Sequence, residues 1–519
     1  MIFIVDFGSQ VTQLIARRVR EAGVYCEIVS SKSLYRQILN RGCSGIVFSG
    51  GPASVHKSNT PKIDKRIFKL NIPILGICYG MQLLCYQLGG KVKISKKREF
   101  GKTLIKPSKK SVLFSGFRKG MSSNYVWMSH GDKVISLPRD FKSIASSSNT
   151  KFAAVENKKK SYYGLQFHPE VVHTPNGHKI IENFIFKICK VKRNWSMKNH
   201  LRNQITEIKH SVHKDQVICG LSGGVDSTVT AAIISKAINK QLTCIYVDTG
   251  LMRLNETKEV VKMFKKHFKS RLIVKDSRKT FIKALKGATD PEKKRKIIGN
   301  LFIKIFNQEA NKIKRAKYLA QGTIYPDVIE SQSFHGGPTS VIKSHHNVGG
   351  LPKRMKLKLV EPLRELFKDE VRKLGLEMRL PKKFINRHPF PGPGLGIRIL
   401  GEVTAARVKI LQEADNIYIE EIKEAGLYDK IWQAFAVLMP IKTVGVMGDH
   451  RSYEQVCGLR AVTSVDGMTA DFYPFKGEFL SKVSTRIINE VKGINRVVYD
   501  TCLLYTSDAA DEEDSVDLG

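Results

Sequence analysis

Three residues of the chain have the types and spacing of a nucleophile, a base and an orienting acid. Cys78 stands between Gly76 and Gly80, directly after an apolar run. The flanking glycines permit a sharp strand-to-helix turn, which presents the side chain at a helix N-terminus, where a thiolate is stabilised. His168 and Glu170 are two residues apart, so in an extended segment they share a face. We expect Cys78 to attack a carbonyl, His168 to carry the proton and Glu170 to fix the imidazole tautomer.

The same part of the chain offers backbone donors for the oxyanion that such an attack creates. Gly51 lies in a glycine turn after another apolar run, and Tyr79 follows the cysteine directly. Their amides are candidates for an oxyanion hole. Taken singly, a cysteine or a histidine is more often part of a protein core. The combination and its order favour a catalytic interpretation.

A second chemical centre is predicted where two adjacent glycines follow the apolar run at 217–219 and precede an Ala/Ile-rich segment. This pattern indicates strand, tight turn and helix. The glycines let the backbone approach an anion, and the helix N-terminus and neighbouring hydroxyls can donate to it. The alternative, an ordinary turn with a good helix cap, is disfavoured by the full pattern. The residues expected to hold a phosphate are Ser222, Gly223, Gly224, Val225, Asp226, Ser227 and Thr228.

The loop lacks the lysine that a nucleoside-triphosphatase P-loop requires after its glycines. It resembles instead the pyrophosphate loop of the ATP pyrophosphatases, which adenylate a substrate oxygen. That resemblance implies ATP as a substrate with Mg²⁺, and Asp226 as a residue that helps to hold the metal. Val247, at the end of the next apolar run, is a candidate adenine contact because nucleotides bind at the carboxyl ends of strands. No tightly bound organic cofactor is expected.

The first 190 residues resemble the class I glutamine amidotransferases, through the motifs F-G-S-Q, S-G-G-P, G-I-C-Y-G-M-Q and H-P-E. The resemblance implies hydrolysis of glutamine to glutamate and ammonia through a thioester on Cys78. Gln82 matches the family glutamine that helps to bind the substrate.

The stretches 321–331, 342–352 and 387–396 resemble the glutamine-hydrolysing GMP synthetases. The resemblance implies that XMP is adenylated and that ammonia then displaces AMP to give GMP. It also implies a C-terminal region that forms a homodimer and holds XMP. Lys343 and Arg387 are candidate contacts for phosphate or XMP.

These centres must be positioned by several domains of α/β class. We expect an amidotransferase domain with a parallel sheet over 1–190 and an ATP-pyrophosphatase domain over 195–387. A small α+β domain over 388–500 would dimerise and bind nucleotide. Residues 501–519 are acidic in an otherwise basic chain and replace the family tail, which predicts a disordered or foreign segment.

Composition limits the remaining possibilities. Nine cysteines without a C-x-x-C pair argue against a disulfide framework and a zinc site, and neither a leader nor a membrane-length apolar run is present, which favours the cytoplasm. The net charge of +40 is spread over the whole chain, so nucleic-acid binding is not expected. Two alternatives stay open: another ATP pyrophosphatase, such as a tRNA-modifying enzyme, and a non-enzymatic regulator.

Overall fold

The computed structural model describes residues 1–9, 11–57, 60–108, 110–117, 124–331, 357–447, 450–464, 469–502 and 504–505. The chain divides into two compact units, of which the first is Met1–Ser196 and the second begins at Met197. The domain boundaries near 387 and 500 stay predictions.

The first unit is built on an eight-stranded mixed sheet with the order β2-β1-β3-β4-β10-β9-β8-β6. Five neighbouring strands are parallel, as the apolar runs predict, because strands buried on both faces carry continuous hydrophobic residues. The antiparallel strands β9, β8 and β6 extend one edge. The strands are β1 (Ile2–Asp6), β2 (Cys26–Ser30), β3 (Gly45–Phe48), β4 (Ile74–Ile77), β6 (Lys106–Pro107), β8 (Lys142–Ser146), β9 (Ala154–Asn157) and β10 (Tyr162–Leu165).

A second, antiparallel sheet of three strands lies in the same unit. Its strands are β5 (Lys91–Leu104), β7 (Tyr125–Ser136) and β11 (Phe167–His168). The helices of the unit are α1 (Thr12–Glu21), α2 (Leu34–Arg41), α3 (Tyr79–Gln87) and α4 (Gly177–Glu182). The turn between β4 and α3 carries Cys78, and β11 carries His168. The larger sheet therefore positions the predicted nucleophile, and the smaller sheet positions the predicted base.

The second unit contains a five-stranded parallel sheet with the order β14-β13-β12-β15-β16. The chain leaves β12 toward one edge and later returns to add β15 on the other side. Ligands of such sheets bind at this switch point, outside the carboxyl ends of the strands. The strands are β12 (Gln216–Gly220), β13 (Leu242–Asp248), β14 (Arg271–Asp276), β15 (Ala316–Ala320) and β16 (Lys358–Val360).

Helices cover this parallel sheet. The longest of them, α9, starts as its sequence predicts, with Asp290 capping the amide of Lys293 and Pro291 in the first turn. The helices are α5 (Met197–Val212), α6 (Val225–Ile238), α7 (Glu256–His267), α8 (Arg278–Ala284), α9 (Pro291–Ala310), α10 (Tyr325–Ser331), α11 (Lys368–Glu377) and α12 (Lys382–Ile385).

The C-terminal part of the second unit is a long antiparallel hairpin of β17 and β18, with further strands and two helices. One hydrophobic cluster runs from Ile218 in the parallel sheet to Ile494 in this part, so both share a core. The elements are α13 (Ala405–Glu424), β17 (Gln433–Met447), β18 (His450–Ser464), β19 (Thr469–Phe472), α14 (Gly477–Glu490), β20 (Ile494–Tyr499) and β21 (Leu504–Tyr505).

Of the atypical segment 501–519, the short strand β21 pairs with β19, and the residues beyond 505 lie outside the described part of the chain. Among the described residues, no helix combines the length and the apolar character needed to span a bilayer.

Candidate active sites

The backbone at Cys78 has the conformation of a nucleophile elbow. Its φ and ψ are 50° and −107°, values that a residue with a side chain rarely adopts, and its amide donates to the carbonyl of Leu165 at 2.7 Å. The neighbouring glycines are required by close packing. A Cβ at Gly76 would lie 2.7 Å from the carbonyl carbon of Gly80, and one at Gly80 would lie 2.4 Å from the carbonyl oxygen of Phe48. The predicted turn is therefore present, with Cys78 at the start of α3.

The structure brings His168 and Glu170 together beside Cys78. Nδ1 of His168 is 2.7 Å from Oε1 of Glu170, and both side chains are buried. Because Nδ1 faces a carboxylate acceptor, it carries the proton and leaves Nε2 to face the thiol. Burial lowers the pKa of His168, but the Glu170 carboxylate and the Cys78 thiol outweigh it, so this pKa stands well above its ordinary value. The arrangement can take a proton from sulfur and stabilise the resulting imidazolium.

The two predicted oxyanion donors flank the elbow. A Cβ at Gly51 would lie 2.9 Å from the carbonyl oxygen of Phe7, so this turn needs glycine. Within the described part of the chain, the amides of Gly51 and Tyr79 donate no hydrogen bond. Unsatisfied donors at a turn and at a helix N-terminus suit an oxyanion. Their role in catalysis stays a prediction.

Gln82 is buried in α3, and its side chain is bonded within the protein. Its Nε2 donates to the carbonyl oxygen of Asp132 at 2.8 Å, and the carboxylate of Asp132 accepts from Ser54 at 2.6 Å. The side chain thus links the elbow helix to β7. The predicted contact with glutamine is untested by this geometry.

Sequence reasoning missed two groups at the sulfur of Cys78. Sγ lies 3.6 Å from the carbonyl oxygen of Ser129 and 3.9 Å from Nε2 of Gln166. Ser129 lies in the stretch W-M-S-H-G-D at 127–132, and Gln166 lies two residues before the histidine of H-P-E. Their positions in or near recognisable motifs were the sequence signal that could have identified these two residues.

The predicted phosphate loop joins β12 to α6 in the second unit. Gly223 has a φ of 86°, in the region that favours glycine, and α6 begins directly after Gly224. The loop is closed by its hydroxyls: Oγ of Ser222 lies 2.9 Å from Oγ of Ser227, and Thr228 donates to the carbonyl of Gly224 at 2.7 Å. The first amides of α6 and its dipole can therefore face an anion.

Asp226, in the first turn of α6, is buried. Its Oδ2 accepts from Nζ of Lys368 at 2.5 Å, whereas its Oδ1 accepts no hydrogen bond from any described residue. A buried carboxylate oxygen with a free lone pair fits a Mg²⁺ ligand, since Mg²⁺ in nucleotide sites uses one or two carboxylates together with phosphates. Among the described residues, no group of three acidic, His or Cys side chains could hold a metal alone. The fit is to a metal that arrives with a phosphate ligand.

Lys368 was not predicted from the sequence. It is the first residue of α11, more than a hundred residues from the loop, and its charge opposes the positive end of that helix dipole. A lysine in this unfavourable position was a weak signal for function.

The phosphate loop, Val247 and residues 387–392 line one cavity. Its apolar side is formed mainly by β13 and α9, and its polar side by the phosphate loop and α11. Residues that line the cavity are Ser222, Gly224, Val225, Asp226, Tyr246, Val247, Thr249, Met252, Ile298, Phe302, Lys368, Arg372, Arg387, His388, Pro389, Phe390, Pro391 and Gly392.

The guanidinium of Arg387 contacts other groups of the protein. One guanidinium nitrogen donates to the carbonyl of Gly223 at 3.0 Å, and another forms an ion pair with Glu256. In this position Arg387 braces the phosphate loop, and its predicted contact with a phosphate or XMP is untested. Lys343, the other predicted contact, lies outside the described residues.

Three family models match the chain in the predicted order. Residues 3–188 match "Glutamine amidotransferase class-I", residues 197–307 match "NAD synthase", and residues 420–503 match "GMP synthase C terminal domain". The fold class predicted for the three parts is therefore confirmed.

Curated relatives are similar over nearly the whole chain. Proteins named GMP synthase [glutamine-hydrolyzing] from Phenylobacterium zucineum and Rhizobium etli are 58% identical over 96% of this chain and 96% of their own length. The protein of that name from Bartonella bacilliformis is 57% identical with the same coverage. This similarity supports neither of the two alternatives left open by the sequence.

Proposed function

The chain belongs to the family of glutamine-hydrolysing GMP synthases, and we propose that it makes GMP with two active sites, one in each compact unit. The activity is glutamine-dependent GMP synthesis, in which a ligase forms a C–N bond. Glutamine, ATP and XMP are the substrates that this family membership implies. The chemical steps below are inferred from the geometry of the two sites.

In the first unit, Cys78 acts as the nucleophile on the side-chain amide of glutamine. Its proton passes to His168, and sulfur adds to the carbonyl carbon, with the amides of Gly51 and Tyr79 donating to the oxyanion. His168 returns the proton to the leaving nitrogen, ammonia departs and a thioester remains. Water, deprotonated by His168, then releases glutamate. The observation that carries this half is the strained backbone of Cys78 beside the buried His168–Glu170 pair.

In the second unit, the phosphate loop binds the triphosphate of ATP at the switch point of the parallel sheet. An oxygen of XMP attacks the α-phosphorus and pyrophosphate leaves, which gives an adenylated nucleotide. Ammonia then adds to the activated carbon, AMP departs and GMP is formed. The first amides of α6 and the Lys368 ammonium suit the charge that develops on the leaving pyrophosphate.

Asp226 would hold Mg²⁺ through its free Oδ1 once ATP supplies phosphate ligands. Bound there, the metal would neutralise charge on the leaving pyrophosphate. Lys368 donates to Oδ2 of the same carboxylate, and this hydrogen bond fixes the orientation of Oδ1.

The proposal includes a homodimer formed through the β17–β18 hairpin. Val444 and Tyr453 are direct cross-strand partners, and 51% and 60% of their surfaces are exposed. Ile441, on the same hairpin, is 58% exposed. Apolar residues grouped on a hairpin suit an interface with a second copy. We place the enzyme in the cytoplasm, because all nine cysteines are free thiols, as is usual in a reducing compartment.

The deciding experiment measures AMP and pyrophosphate formation with and without XMP, using glutamine or ammonium as the nitrogen source. We expect both products to depend on XMP. Cys78→Ala should abolish the use of glutamine and leave the ammonium reaction intact. ATP cleavage that does not depend on XMP, or equal loss of both reactions in Cys78→Ala, would contradict the proposal.

A further inference from the structure

Among the described residues, two uncharged groups form hydrogen bonds with the Cys78 sulfur. Their interactions with sulfur change in opposite directions when the thiol loses its proton. The carbonyl of Ser129, at 3.6 Å, accepts from the thiol. Nε2 of Gln166, at 3.9 Å, donates to sulfur. Once the proton has moved to His168, the carbonyl dipole repels the thiolate, whereas the amide N–H is attracted to it. Hydrogen bonds to a charged acceptor are shorter and stronger than those to a neutral one.

The backbone holds Gln166 in a fixed position beside the elbow. The amide of Cys78 donates to Leu165 at 2.7 Å, and the amide of Gln166 donates to Ala153 at 2.9 Å. Gln166 also lies two residues before His168 and is fully buried. The elbow, the base and the side-chain amide are thus attached to one short stretch of chain.

Within the described residues, the carbonyl end of the Gln166 side chain forms no hydrogen bond that would explain a glutamine at this position. Its Oε1 is buried and accepts no hydrogen bond in the part of the chain that the structure describes. A buried carbonyl oxygen without a donor destabilises a fold, and an apolar side chain of similar size would avoid that effect. A fold-stabilising role therefore accounts poorly for a glutamine here.

We propose that Gln166 is a catalytic residue of glutamine hydrolysis, whose side-chain N–H donates to the Cys78 sulfur and stabilises the thiolate. This inference deepens the proposed glutaminase site and rests on it. The proton leaves Sγ for His168, and the amide of Gln166 gives up no proton. It acts again when the thioester breaks, because the electron pair then returns to sulfur. His168 and Gln166 have separate tasks in this scheme, proton transfer and charge stabilisation.

Two substitutions test this role. Gln166→Leu removes the donor, and Gln166→Glu keeps the shape but places a carboxylate where the donor stood. The pH dependence of glutaminase inactivation by iodoacetamide reports the thiolate. We expect its midpoint to move up by roughly one pH unit in Gln166→Leu and further in Gln166→Glu, with glutaminase kcat/KM reduced roughly tenfold or more. Gln87→Leu is the matched control, since the hydrogen bonds of the Gln87 side chain to described residues go to backbone atoms of Ile63, and it should leave the midpoint unchanged.

The thermal unfolding transition of the first unit, followed by circular dichroism, shows in each variant whether that unit is folded, and GMP synthesis from ammonium shows the same for the second unit. If glutaminase falls while the alkylation midpoint stays at its wild-type pH, Gln166 does not stabilise the thiolate and the inference is wrong. Should Gln166→Leu fail to fold, the isosteric Gln166→Glu decides the question by the same profile. Failure of the glutaminase assignment itself would appear separately, as glutaminase activity retained by Cys78→Ala.

Discussion

Nζ of Lys368 donates to Oδ2 of Asp226 at 2.5 Å, so a lysine at the start of α11 holds the carboxylate in the first turn of α6. The pair joins two segments that are distant in sequence. Within the described part of the chain, it leaves Oδ1 of Asp226 as an acceptor without a donor at the phosphate-loop cavity.

This pair predicts that Lys368→Met impairs GMP synthesis with either nitrogen source. The variant loses a cation beside the proposed triphosphate site and leaves Asp226 as a buried carboxylate without its Lys368 partner. We expect kcat with ammonium to fall by roughly 10²-fold or more, as with loss of other positioned charge donors. Glutaminase measured alone should persist. Lys373→Met, on the exposed side of the same helix, is the control; equal activities of the two variants would contradict the assignment.

Glu170→Gln should slow glutamine hydrolysis by roughly 10²- to 10⁴-fold, because the imidazolium loses its counter-charge. The raising effect of Glu170 on the pKa of His168 is then lost and that of Cys78 remains, so burial lowers this pKa relative to wild type. NMR titration of the His168 ring checks this shift, which should be downward. Glu27→Gln, which removes the carboxylate paired with Arg41 on β2, should change neither quantity.

The same substitution predicts a pH-dependent loss of stability. The pKa of His168 is raised in the folded state, so its contribution is fully present below the unfolded value of about 6.5 and is lost as pH rises through the folded pKa. The difference in Tm between wild type and Glu170→Gln should therefore be largest in mildly acidic buffer and shrink in alkaline buffer. A difference that grows with pH would refute this linkage.

Arg387→Lys should weaken ATP binding without affecting glutamine hydrolysis. Lysine cannot bridge the Gly223 carbonyl and Glu256 at once, so the phosphate loop loses its brace. We expect the KM for ATP to rise roughly tenfold, the size of one hydrogen bond to a charged group. Arg271→Lys, exposed on the edge strand β14, serves as the control. An unchanged KM would show that the loop keeps its shape without the bridge.

Acidification should destabilise the second unit through His388. Burial lowers the pKa of this histidine to about 4. Stability is then fully present above the unfolded pKa of about 6.5 and declines as pH falls toward the folded value, by up to roughly 3 kcal/mol. The test compares denaturant midpoints at pH 7 and pH 4.5, and the difference between them should be smaller in His388→Gln than in wild type. The glutamine amide can still donate to the carbonyl of Tyr428. His267→Gln, at the exposed end of α7, should keep the wild-type dependence.

Val444→Lys should dissociate the proposed homodimer, because it places a charge at the centre of the exposed hairpin residues. Sedimentation velocity at several protein concentrations measures the change. Val274→Lys is the matched control, since Val274 is 44% exposed on β14, away from the hairpin. A monomeric wild type, or a Val444→Lys variant of unchanged mass, would exclude the hairpin as the interface.

The local geometry of the two candidate sites was predictable from the sequence because turns, glycines and the predicted catalytic side chains lie close together along the chain. The Cys78 elbow, the helix after Gly224 and the start of α9 at Asp290 follow from such short patterns. Contacts across long separations were not predictable. Nothing near residue 368 indicates Asp226 as its partner, and the use of Arg387 as a brace depends on how the loop at 387–396 packs. The antiparallel edge of the first sheet depends on pairing choices that strand patterns alone do not specify.

The hydrophobic cluster that runs from Ile218 to Ile494 determines how the second unit unfolds and how it can be recombined in evolution. The parallel sheet of the second unit and the hairpin region should melt in a single cooperative transition, and protease nicking near residue 387 should not release a stable fragment. Evolution could replace the first unit by a separate polypeptide, but it could not separate the phosphate-loop region from its C-terminal neighbour without rebuilding the core that both share.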